Sequence, residues 1–328
     1  MFQNYETFLY MAILKKINKK AKAENNTGFG SNSQNYGGRF INKNGNANIQ
    51  KVGIGFLDSI SWYHIMLKIP LWKFFFIIIL FYFTVNLFFA SIYLFIGVEN
   101  LRGVDSITRM DKFGEAFFFS IQTFTTVGYG HISPSGFSAS FVAAVEALSG
   151  LLSFAIATGL FYGRFSKPNA YVQFSENALI APYKEGKALM MRMAPHKNTN
   201  LTDVEAFITV GILIEENGIS TNKFYSLPLE MKKINSLTLS WTLVHPIDEE
   251  SPLFNLNASD YQQTIGEILV YIKAFDDMYS ATVVKRTSYT FDEIVYGAKF
   301  LPMYDKNESN TKTILHLDYL NKFVKVSL

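Results

Sequence analysis

The sequence predicts a membrane-embedded α-helical region followed by a cytoplasmic all-β domain, and three observations carry that expectation. Two long apolar stretches occupy residues 71–97 and 137–165. Between them lies a short apolar run that ends in a glycine-bearing pentapeptide. Beyond residue 170 apolar and polar residues alternate with period two, the mark of half-buried strands.

Composition narrows the function classes. The 328 residues suffice for two units of ordinary domain size. A net charge of +3 is too small for the basic face of a nucleic-acid binder, so no nucleic acid is expected as a partner. The chain has no cysteine, which excludes disulfide frameworks, thiolate zinc sites and cysteine nucleophiles. It carries no P-loop, HExxH or GxSxG, and no glycine fingerprint after a strand. The acidic run Asp248, Glu249, Glu250 reads as a solvated loop. No enzyme activity and no cofactor are therefore expected.

Residues 1–57 are polar and rich in Asn, Gly and Lys, and read as a cytoplasmic N-terminal segment that is partly disordered. The first apolar patch, 8–14, is short and followed by lysines, so no cleavable leader is expected. Residues 58–70 have the mixed character of an amphipathic helix at the membrane surface, with a short solvated linker as the alternative. Residues 71–97 exceed the roughly 20 needed to cross a bilayer core. Near their start Lys73 can snorkel to the headgroups and Trp72 suits an aromatic belt, so both are expected to contact lipid.

The apolar part of 113–125 is too short to span and reads as a re-entrant half-helix. Residues 137–165 form the second span, whose Gly150 and Gly159 serve either close packing or bending. About ten Lys and Arg precede residue 74, and Arg164 and Lys167 follow the second span. By the positive-inside rule both termini are cytoplasmic, in a multi-pass protein of the cell membrane. Residues 166–328 are expected to form a β-sandwich, with strands near 203–215, 267–275, 281–290 and 313–326.

The pentapeptide Thr126, Val127, Gly128, Tyr129, Gly130 carries the chemistry. A dehydrated cation needs oxygen ligands in place of its water shell, and successive carbonyls of an extended loop supply them in stacked rings when four copies surround one axis. Gly128 and Gly130 permit the backbone angles this requires. The Thr126 hydroxyl adds a further ring, and the Val127 and Tyr129 side chains are free to pack outward as a brace. This run is the recognised potassium-filter sequence, so K+ as its occupant rests on recognition as well as on mechanism. Irregular backbone is tolerated at membrane depth only where it is sheltered, which a lone subunit cannot do, so a homotetramer is implied.

Other positions invite roles. His131 reads as a solvent-facing residue at the outer mouth, with modulation by its charge as the sharper alternative. Glu146 is ionisable within a span and is expected near the filter or lining the cavity. Tyr162 closes the second span and is either a gate at a helix-bundle crossing or an interfacial aromatic.

In order along the chain, RFINKNGNANI, DSISWYHIMLKIPLWKFFF, FGEAFFFSIQTFTTVGYG, GRFSKPNAYVQFSENALIAPY and VHPIDEESPLF resemble segments of the inward-rectifier potassium channels, particularly their prokaryotic branch. The resemblance implies a fourfold channel with an immunoglobulin-like cytoplasmic vestibule. It also implies a second gate at the 275–280 loop, from Phe275 to Ser280, and an acidic pore-lining position at Glu205. Departures accompany it. Phe154 stands where strong rectifiers carry an acid in the cavity, and Lys273 where a vestibule carboxylate is common, so weak polyamine block is expected. Gln122 and Ile132 occupy the positions of the family's ion pair behind the filter. Arg164 and Lys167 suggest contact with anionic lipid, without the dense basic run of phosphoinositide-activated members. The rival from another class is a membrane receptor, or a non-conducting subunit, with a ligand-binding β-sandwich.

Overall fold

The computed structural model describes residues 17–18, 20–21, 23–24, 28, 39–53, 55, 61–105, 107–216, 219–307, 309 and 311–328. The chain divides into two compact units, one of residues 52–167 and one of residues 1–51 with 168–328.

In the first unit, α1 (Trp62–Lys68) starts where the Ser61 hydroxyl accepts the His64 N–H and ends at Ile69, whose extended backbone precedes Pro70. The expected start at 58–60 lies outside the described residues. The outer helix α2 (Leu71–Ile96) and the inner helix α4 (Gly136–Phe165) reach mean hydropathies of 2.3 and 1.8 over their most apolar windows, yet only 17% and 11% of those windows are buried. A soluble helix hides its apolar side, whereas these display Phe76, Ile79, Phe83 and Phe88, as lipid-facing helices do.

The pore helix α3 (Arg109–Phe124) starts four residues earlier than expected. Thr108 accepts the Asp111 N–H at 3.2 Å and forms a cap the apolar pattern does not reveal. Its hydrophobic neighbours Phe89, Tyr93, Phe119 and Ala139 form one small core with the two long helices. The connections that flank the pore helix are stitched by β1 (Leu101–Arg102) against β2 (Ser133–Pro134) and by the Ser135 N–H on the Asn100 carbonyl at 2.7 Å.

The second unit is a sandwich of two five-stranded sheets. One sheet has the order β11 (Ala281–Thr290), β10 (Gly266–Asp276), β6 (Leu201–Glu216), β7 (Ile219–Ser226), with β8 (Lys233–Ser236) also on β6. The other has the order β12 (Ile294–Tyr296), β4 (Ala178–Tyr183), β5 (Gly186–Pro195), β3 (Val172–Phe174), with β9 (Trp241–Ile247) on β5. The inward set of β6, Val204, Ala206, Ile208, Val210 and Ile212, faces Leu189, Met191, Met193 and Leu243 in a single core. This is the all-β fold the alternation predicts.

The described part of the N-terminal segment, expected to be partly disordered, packs on the sandwich. Ile17 is buried in the sandwich core, and the Arg39–Asn48 stretch closes as a turn in which Ile41 bridges Ala47. Gly45, at φ +87°, passes so close to the Arg286 carbonyl that a Cβ would lie 2.6 Å from it. The buried Glu267 carboxylate accepts the N–H groups of Phe40 and Ile41, and Arg39 and Lys43 both reach Glu293. The 29–38 part of the expected disorder lies outside the described residues.

At the other end Arg192, almost fully buried, donates to the carbonyls of Leu301, Tyr319 and Leu320 and lies over the Phe300 ring. A buried guanidinium whose two terminal nitrogens are held by carbonyls in this way pins the C-terminal stretch to the sandwich.

His245 offers a test. Its Nδ1 donates to the Pro228 carbonyl at 2.6 Å, so its Nε2 accepts the Ser251 hydroxyl at 2.8 Å. Burial pushes its pKa below the ordinary histidine range, and burial together with Lys285 and Lys197 does the same for His196. Unfolded chains then bind more protons than folded ones, so stability rises with pH and is lost as pH falls through about 6.5. The apparent melting temperature of the purified protein should fall on acidification through that range. It should fall less in a His245→Asn variant. An equal fall in both would remove His245 from the account.

Candidate functional site

The filter loop hangs from the end of the pore helix. The Thr125 N–H still bonds the Ile121 carbonyl at 3.0 Å, and Thr126 then turns out of the helix at φ +58°. A threonine in the left-handed region costs about 1–3 kcal/mol, which only a loop fixed by its surroundings sustains. Gly128 and Gly130 repeat the positive φ at +57° and +83°. The N–H groups of Val127 and Gly128 both turn back onto the Gln122 carbonyl, at 2.9 and 3.4 Å. Two of the loop's donors are thus spent on the pore helix, whose C-terminal end carries partial negative charge suited to a nearby cation.

The brace expected of Val127 and Tyr129 is not made within the subunit, where these side chains are 52% and 78% exposed. Thr126 and Phe124 border a recess of about 840 Å³, shared with Gly150, Leu151 and Phe154. His131 is exposed, as read, and its carbonyl lies where a Cβ on Gly103 would sit, 2.1 Å away.

Glu146 does not line the cavity. It is fully buried behind the pore helix, where its Oε2 accepts the Tyr93 hydroxyl at 2.7 Å and its Oε1 meets the Ser120 hydroxyl. Ser120 also reaches Asn86 Oδ1 at 3.0 Å. Sequence reading missed Asn86, Tyr93 and Ser120. The available signal was Asn86 and Tyr93, seven residues apart and so on one face of an otherwise apolar helix. Gly150 contributes close packing on the same side, since a Cβ there would lie 1.9 Å from the Phe124 carbonyl oxygen.

A family model described as "Inward rectifier potassium channel C-terminal domain" matches residues 172–328, and one described as "Ion channel" matches residues 75–167. The chain is 32% identical over 272 residues to the inward rectifier potassium channel Kirbac3.1 of Paramagnetospirillum magnetotacticum, covering 81% of this chain and 89% of that one. The chain belongs to the inward-rectifier potassium channel family. The G protein-activated inward rectifier potassium channel 1 of Bos taurus is 27% identical over 300 residues, covering 82% of this chain and 58% of its own length. The inward rectifier potassium channel irk-1 of Caenorhabditis elegans is 27% identical over 220 residues, covering 62% and 40%.

The remaining positions singled out as an inward rectifier's site fall as follows. Tyr162 is 74% exposed near the end of the inner helix, and Phe154 is 74% exposed two turns earlier. Of the expected 275–280 loop, Phe275 and Asp276 are instead the last residues of β10, so the turn is 277–280; Phe275 is 39% exposed and Ser280 turns at φ +48°. The loop between them is fixed from inside. Asp276 accepts the Met278 N–H at 3.0 Å, and Asp277 is held by Asn200 at 2.6 Å and Thr202 at 2.9 Å.

Glu205 stands directly opposite Lys273 on β10 and Lys233 on β8. Trp72 and Lys73 are paired, with the ammonium 5.3 Å from the ring centre, and Lys167 is exposed. Arg164, expected to contact lipid, also has partners within the protein. Its guanidinium donates to the carbonyls of Met66, at 2.9 Å, and Ile69, and lies over the Phe74 ring. These are the open carbonyls at the end of α1, which a cation satisfies.

The two inner-helix glycines are separable by substitution. Gly150→Ala must displace the pore-helix backbone and should cost about 1–3 kcal/mol of stability, read as earlier thermal loss of the assembled protein. Gly159→Ala meets open space within the subunit and should cost less. Equal effects would show that contact with Phe124 is not what position 150 requires.

Proposed function

We propose that the chain is one subunit of a homotetrameric, passive, potassium-selective channel in the cell membrane, both termini in the cytoplasm. The filter loop carries this reading. Three left-handed residues alternate along it, two of its donors are spent on Gln122, and all five of its residues are exposed. Four such loops around an axis offer a dehydrated cation stacked rings of carbonyl oxygen. The same arrangement shelters irregular backbone at membrane depth.

Tyr162 and the 275–280 loop serve as gates in this reading, narrowing and dewetting the path. Anionic lipid contact falls to Lys167 and Lys73, because Arg164 is already engaged. Glu205 faces a lysine on each side in its sheet, and Phe154 supplies no charge to the cavity, so little negative potential is left to retain a polyvalent cation.

The test is flux through reconstituted protein with potassium, rubidium and sodium compared. Potassium and rubidium should pass and sodium should not, and vesicles that stay sealed with assembled protein in them would overturn the proposal. In the same preparation Tyr162→Ala should raise the resting leak, and an unchanged leak would remove it as a gate. Spermine on the cytoplasmic side should block only weakly, and Lys273→Glu should strengthen that block. Strong block of the unmodified protein would contradict the charge argument.

A further inference from the structure

The outer, pore and inner helices meet at four fully buried polar side chains beside an apolar cluster: Asn86, Tyr93, Ser120 and Glu146. Their hydrogen bonds form one connected set. Tyr93 donates to Glu146 Oε2 at 2.7 Å, and the Ser120 hydroxyl stands between Glu146 Oε1 and Asn86 Oδ1. The Asn86 amide donates to the Tyr82 carbonyl at 2.8 Å. A buried carboxyl is costly in a membrane protein, and losing one partner of a buried set leaves the others unpaired.

The place of this set along the pore helix gives it consequence. Ser120 and Phe124 are one helical turn apart, as are Glu146 and Gly150 on the inner helix. The inner helix therefore grips the pore helix twice, by the Glu146–Ser120 hydrogen bond and by the Gly150 notch against the Phe124 carbonyl. Gln122, whose carbonyl receives the N–H groups of Val127 and Gly128, lies between those two grips. Any slide or rotation of the pore helix moves that carbonyl and the filter with it.

We propose that Glu146 is a positioning residue for ion selectivity. Through Ser120 and Tyr93, with Asn86 completing the set, it fixes the height and rotation of the pore helix and so the spacing of the filter carbonyls. Shape and hydrogen bonding, more than net charge, define the requirement. A glutamine at 146 satisfies the set with its oxygen toward Tyr93 and its NH2 toward Ser120. The Ser120 proton, now shared between two acceptors, then goes to Asn86.

The inference rests on the potassium-channel reading, and its experiment separates the two. Full-length wild-type protein and the variants E146L, E146Q, S120A and Y93F are reconstituted, and the potassium-to-sodium permeability ratio is read from reversal potentials. Assembly is checked by size-exclusion chromatography. A wild type that does not conduct, or does not discriminate, overturns the functional reading itself.

With a selective wild type, E146L should remain assembled and lose about tenfold in the ratio, the scale set by one unsatisfied buried group. E146Q should recover most of that loss. S120A and Y93F should each lower the ratio by a smaller factor, and they decide the matter if E146L does not assemble. A wild-type ratio in assembled E146L, or in both S120A and Y93F, overturns the positioning role. So does an E146Q as impaired as E146L, since the hydrogen bonds would then not be what matters.

Discussion

A carbonyl in the hydrocarbon layer has no water to bond, and each unsatisfied backbone group there costs several kcal/mol. Helices α2 and α4 meet this demand internally along their whole length. The loop 126–130 cannot, because positive φ at Thr126, Gly128 and Gly130 takes it out of any regular ladder. The Val127 and Gly128 amides find the Gln122 carbonyl, and the Thr126 amide finds that of Thr123. That constraint explains the rest of the membrane unit. The pore helix presents the loop, the Thr108 cap fixes where that helix begins, and Val127 and Tyr129 stay exposed beside it.

The lipid environment also explains why polar groups are placed as they are. Apolar side chains gain little by meeting each other when the surrounding solvent is equally apolar, so helices there are specified by hydrogen bonds and close backbone approach. Both devices occur at one spot, the Glu146 set and the Gly150 notch. In the β unit, where water drives burial, specification comes instead from the alternating rows on β6, β9 and β10.

How legible each part was follows from the range of the interactions that form it. The two spans, β6, β10 and β11 lie within a residue or two of their expected bounds, because hydropathy and period two are local properties of the sequence. The loop 126–130 could be singled out from sequence because the glycines and threonine that take its positive φ lie within five consecutive residues. What escaped depends on partners far apart in the chain. Glu146 marks itself as unusual, but its partners lie 53 and 26 residues away, and only helix packing brings them together. The carbonyls that Arg164 meets at the end of α1 lie 98 and 95 residues before it. The Phe40 and Ile41 amides could not be assigned to Glu267, more than two hundred residues on.

That last attachment belongs to the β unit, where Glu267, Glu293 and Ser288 hold residues 39–41. The membrane unit has a counterpart of its own, in which Arg164 joins the end of the inner helix to the end of α1. In both, an ionisable side chain takes up backbone groups that no helix or sheet ladder serves, and so fixes a segment that local propensity leaves free.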